Sequence, residues 1–204
     1  MKTTKLILSA AALLVLSVQA AFAQSQSSST TTAANPDSIK DRKENQQDRI
    51  AQGVQGGQLT AGETKHLETK EAGLNKEERT MRSEDNGHLT AADRTKLNRQ
   101  QNHLSNRIYD DKHNADTAHY GNNEVGQRRE NQQDRIAQGV KSGQLTPGET
   151  AKLENQQQGI NKEVSGMRQA NGGKLTKTDK AAVNQQQNRA SRKIYNKKHN
   201  AQKQ

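Results

Sequence analysis

"GQLTAGETKHL", residues 57–67, returns as "GQLTPGETAKL" at residues 143–153, with looser versions in "GHLTAADRTKL" (87–97) and "GKLTKTDKAAV" (173–183). Every copy sets a threonine three residues ahead of an acid: Thr60 and Glu63, Thr90 and Asp93, Thr146 and Glu149, Thr176 and Asp179. A threonine hydroxyl in that position accepts from the backbone N–H three residues on, while the acid reaches back to the threonine's own N–H. The phrase therefore predicts four helix starts. Pro147 strengthens one of them, because a first helical residue has no use for its N–H. The glycine two residues before each leucine lets the preceding helix end and the chain turn.

Around the phrase lies a longer repeat. "RKENQQDRIAQGVQGGQLTAGET" from Arg42 realigns on "RRENQQDRIAQGVKSGQLTPGET" from Arg128, and the match runs on to "NRIYDDKHNA" and "RKIYNKKHNA". The expected units are 42–115 and 128–201, joined by a linker at 116–127, with 202–204 as a tail. Apolar residues recur about two turns apart among lysine, glutamate, glutamine and arginine, which favour helices and solvated faces. The fold class expected is all-α: two tandem helix-turn-helix-turn-helix units. Gly73 and Gly159 mark places where the middle helices would break. The first unit's candidate core is Ile50, Val54, Leu59, Leu67, Leu74, Met81, Leu89, Leu97, Leu104, Ile108 and Tyr109.

Only 28% of the residues are hydrophobic and 2% aromatic, which excludes a large single core. Residues 1–23 account for much of the apolar content. A basic start, an apolar run and Ala21-Phe22-Ala23 read as a secretory signal peptide cleaved before Gln24. The expected location is periplasmic or secreted, with no transmembrane segment after cleavage. Residues 24–41 open with the low-complexity run "QSQSSSTTTAANPDS" and are expected to be disordered. The chain holds no cysteine, so no disulfide framework supports it.

The motif "G-x-L-T-x-x-E" followed by "QNRxSxxIYxxKHN" resembles secreted bacterial repeat proteins, a likeness that brings no activity with it. The loops also resemble degenerate EF-hands, with glycine at the sixth loop position, an aliphatic residue at the eighth and an acid at the twelfth. Only the loop around Gly87 adds oxygen ligands, so a calcium site there would use Glu84, Asn86 and Asp93. Arg82 stands where the first carboxylate should be, and elsewhere the acids simply cap helices. No other cofactor is expected.

No nucleophile elbow, zinc motif or phosphate loop is present, so the chain is not expected to be an enzyme. Tyr109 with His113, and Tyr195 with His199, share a helix face; the tyrosines are expected to anchor the core and the histidines to sit near helix C-termini. Charge divides the repeats. Residues 42–115 carry 13 basic and 12 acidic side chains, whereas 128–201 carry 15 and 6. Arg189, Arg192, Lys193, Lys197 and Lys198 are the candidate binding surface. An exported basic face suits an anionic envelope polymer or lipid surface; nucleic acid is not expected without stacking aromatics. The expected function is thus a non-catalytic helical binding or scaffold protein, with weak calcium binding as the alternative.

Overall fold

In the computed structural model, which describes residues 36–204, all four threonines act as N-caps. Thr60 accepts from the N–H of Glu63 at 3.3 Å, and Glu63 Oε2 accepts from the N–H of Thr60 at 2.9 Å. The other three caps repeat this reciprocal pair. They start four of six helices: α1 (Pro36–Gln55), α2 (Ala61–Glu84), α3 (Ala91–His113), α4 (Glu124–Lys141), α5 (Pro147–Ala170) and α6 (Lys177–Lys198). The chain is all-α. Residues 1–35, which include the expected signal peptide and most of the low-complexity segment, lie outside the described residues. Among the described residues no helix is long and apolar enough to cross a membrane.

Two boundaries differ from expectation. Helix α1 begins at Pro36, inside the segment expected to be disordered, because Ile39 is buried against Met81, Leu89 and Leu97. Helix α4 begins at Glu124, inside the expected linker. Asn123 caps it by accepting from the Gly126 N–H at 3.1 Å, and Val125 enters the core. Ile39 and Val125 occupy equivalent places in the two repeats. Neither middle helix breaks at Gly73 or Gly159; α2 and α5 each run 24 residues. An interior glycine weakens a helix by only about 1 kcal/mol, which packing on both flanks outweighs.

The two repeats, α1–α3 and α4–α6, do not stand side by side as separate bundles. Their most extensive contacts are across the repeat boundary, α2 on α5 and α1 on α4, while α3 and α6 each pack on the first two helices of their own repeat. The cores are shared accordingly. Ile50, Val54, Leu59, Leu67, Leu104 and Ile108 form one cluster together with Ala137 of the other repeat. Ile136, Val140, Leu145, Leu153 and Ile194 form its twin, together with Ala51. Alanine is small enough to let α1 and α4 approach closely, so each helix lends one residue to its neighbour's core. The turns reinforce this. A side chain on Gly53 or Gly139 would put its Cβ 2.7 or 2.6 Å from the Leu59 or Leu145 side chain, so the leucine closes directly over helix backbone.

Amides supply what apolar groups cannot. Gln46 Nε2 donates to Gln101 O (2.7 Å) and Ser105 Oγ (2.8 Å), and Gln101 Nε2 donates to Ile39 O (2.9 Å). Gln132, Gln187 and Ser191 repeat the pattern at 2.7, 2.7 and 2.9 Å. These four glutamines are fully buried, and their bonds tie α1 to α3 and α4 to α6. Tyr109 and Tyr195 depart from their expected anchoring role: both remain more than half exposed, stacked on His113 and His199 at 4.1 Å between ring centres. The core position goes to the preceding Ile108 and Ile194 instead. Each histidine Nδ1 lies 2.7 Å from the tyrosine carbonyl one turn back, at the helix C-terminus.

Two outcomes follow. Because most apolar contact crosses the repeat boundary, protease cleavage between Asp116 and Gly121 should leave the halves associated through gel filtration under native conditions; separation would contradict the shared core. Nothing lies within 4 Å of a Cβ at Gly73 or Gly159, so Gly→Ala at each should stabilise by about 0.5–1 kcal/mol in denaturant melts.

Candidate functional site

On one side of the α2–α5 contact the helices part to leave a groove of about 820 Å³. Its lining includes small residues, Ala72 from α2 with Gly148 and Ala151 from α5. Lys65 from α2, Lys152 from α5, and Lys193 and Lys197 from α6 line it as well, together with Thr69, Asn155 and Asn196. Among the described residues no acidic side chain lines it.

The twin position in repeat 1 shows why the groove is open here. There Gln158 lies over Gly62, its Nε2 2.7 Å from where a glycine Cβ would sit. The residue equivalent to Gln158 is Ala72, and a Cβ built on Gly148 would meet no described neighbour within 4 Å beyond its own helix backbone. Charge diverges at the same place. Lys193 and Lys197 align with Arg107 and Asp111, which neutralise one another at 2.9 Å. One substitution set both opens the groove and replaces a neutral pair with two cations, of which Lys197 alone has an acidic neighbour, Glu149.

Lys197 is the partly engaged member. Its Nζ lies 3.3 Å from Glu149 Oε1, the carboxylate that caps α5. Asn200 Nδ2 donates to the same oxygen at 2.6 Å, as Asn114 does to Glu63. This is the work of the "KHN" motif: its asparagine ties the end of each repeat's third helix to the cap of its second. Burial raises the Glu149 carboxyl, but bonds from Asn200, Thr146 and Lys197 outweigh it and hold the group below the usual range.

Of the expected binding surface, Lys193 and Lys197 line the groove, while Arg189 and Arg192 are exposed outside it. The Lys198 stem packs beside Gly139, its Cγ 3.3 Å from a Cβ there, and its ammonium is lowered by burial and by Arg135. Lys65 and Lys152 join the cluster without having been expected. Lys65 belongs to the near-neutral repeat, and only the α2–α5 crossing brings it to α6. No one-dimensional charge count could have found it.

The residues expected for calcium are arranged as a helix end. Glu84 is the last residue of α2, and Asn86 (φ 52°) and Gly87 (φ 90°) turn the chain in the left-handed region. Asp93 Oδ2 accepts from Thr90 Oγ1 at 2.6 Å and Thr90 N at 3.0 Å, and these bonds hold its carboxyl below the usual value. A cation would have to compete with that cap for the oxygen.

No protein-family model, curated protein or solved structure matches this chain.

Asn200→Ala should destabilise the protein by about 1–2 kcal/mol, between the worth of an ordinary hydrogen bond and that of one to a charged group. It should also raise the Glu149 carboxyl. A depressed carboxyl stabilises above its unfolded pKa and loses that contribution as pH falls through its folded value. The variant's deficit should therefore be largest at neutral pH and shrink in acid, as read by urea melts at pH 7 and pH 3.

Proposed function

We propose that this chain is an exported, non-catalytic binding module of the bacterial envelope, and that its groove between α2, α5 and α6 holds an anionic polymer. The observation that carries this reading is the convergence of Lys65, Lys152, Lys193 and Lys197 on one open cleft that no acid lines among the described residues. A concave, one-signed surface concentrates the field and raises the local concentration of the opposite charge. The lysine stems and the alanine–glycine lining offer apolar contact to a polymer backbone, while the ammonium groups meet its charges. A cleft suits a flexible strand better than the flat face of a bilayer.

The test is binding of long-chain polyphosphate to the mature chain at low salt. Each lysine near a dense anionic surface contributes about 1 kcal/mol, so Lys152→Glu with Lys193→Glu should weaken binding roughly tenfold or more. Ala72→Gln, which fills the groove without changing charge, should weaken it as well. Arg189→Glu with Arg192→Glu, on the same helix outside the groove, should have the smaller effect. Equal losses from the two double variants would replace the groove with diffuse attraction. Binding to phosphatidylglycerol vesicles and not to polyphosphate would overturn the polymer reading in favour of a lipid surface.

A further inference from the structure

Position 71 breaks the repeat at one buried atom. In repeat 2, Gln157 donates its Nε2–H to Gln132 Oε1 at 3.0 Å, locking α5 onto α4. Gln132 is held ready for this by the bonds from its own Nε2 to Gln187 O and Ser191 Oγ. Gln46 in α1 is anchored the same way, on Gln101 O and Ser105 Oγ. Among the described residues its Oε1 is buried without a partner, and so are both carboxyl oxygens of Glu71, the residue equivalent to Gln157. Glu71 is fully buried. A carboxylate has no hydrogen to give, whereas a carboxylic acid has one.

We propose that Glu71 is a proton-binding lock between α2 and α1. Protonated, its carboxyl donates to Gln46 Oε1 and closes repeat 1 as Gln157 closes repeat 2. Ionised, it sets acceptor against acceptor in a buried place and loosens α2 on α1.

The surroundings make this proton exchangeable near neutrality. Glu71 lies at the edge of a cleft of about 500 Å³, with its own carboxyl buried. Lys40, Lys43, Glu44 and Asp48 of α1 and Lys141 of α4 line the same cleft. Lys43 does not pair with Glu71 directly; its Nζ donates to Glu78 Oε2 at 3.0 Å. Glu68, also on α2, is buried and takes its bond from Gln47, and it feels both Glu71 and, from α5, Glu154. Burial pushes the Glu71 carboxyl up to about 7 from its ordinary 4.5; Lys43 opposes this and Glu78 adds to it. Between those two values the folded chain keeps a proton that the unfolded chain has lost. Stability from this site is therefore full below about 4.5 and disappears as pH rises through about 7.

The experiment is a pair of pH series on the full chain. Carbon-detected NMR of the Glu71 carboxyl should give a midpoint near 7; a midpoint at the ordinary 4.5 overturns the proposal. Thermal and urea melts from pH 5 to pH 8 should show the wild-type unfolding constant rising, with the part due to this site on the order of ten- to hundred-fold. Glu71→Gln should remove that part, leaving only the slope of Glu68 and Glu154. Gln157→Glu should add a second rise of the same sign. A Glu71→Gln profile running parallel to wild type throughout the window also overturns the lock, whatever polyphosphate does in the groove. Should either variant fail to fold, the NMR midpoint of the wild-type carboxyl still decides.

Discussion

The buried side-chain amide is what the rest of this structure depends on. A chain so poor in apolar residues cannot close six helices by hydrophobic contact alone, since ordering the backbone costs about 1–2 kcal/mol per residue. Gln46, Gln101, Gln132 and Gln187 supply directional bonds from one helix to the main chain of another. A glutamine reaching a carbonyl fixes both separation and register, whereas a small leucine cluster fixes mainly separation. Left unbonded, the same amide would destabilise the core, so the network admits few alternative packings. The glutamines of "ENQQDR", and those that open "QNHLS" and "QNRAS", are thus core residues in this protein.

Much of the architecture was legible in the sequence because the cap is a local device. Thr60 and Glu63 need only each other and three residues of backbone, so the pair can be read without knowing the fold. The leucines and isoleucines were equally legible from their spacing. What the sequence hid was non-local. Ile39 and Val125 lie before the first well-matched residues, and nothing nearby says that they are buried. Tyr109 was misplaced because its size argues for burial, while the fold gives that position to Ile108. The groove was half visible: Lys193 and Lys197 stand in a plainly basic run, but Lys65 reaches them only through a helix crossing.

The repeats have diverged in a way that separates scaffold from surface. Amide ladders, caps and the leucine that closes each first turn are kept in both. Ala72 against Gln158, Asp111 against Lys197, and Glu71 against Gln157 are exchanged, and each exchange changes a cavity, a charge or a titratable group. Every one of these differences sits along α2, α5 or the end of a third helix. The middle helices therefore carry the larger contact between repeats and two of these three exchanges.

The crossing of Ala51 and Ala137 into each other's cores has a consequence for how such a protein can be rebuilt. A string of independent beads can be shortened, lengthened or shuffled one bead at a time. Here a lone repeat would expose the alanine-lined seam and lack a residue of its own interior. The smallest transplantable piece is the pair, and chains grown from this element would lengthen in steps of two.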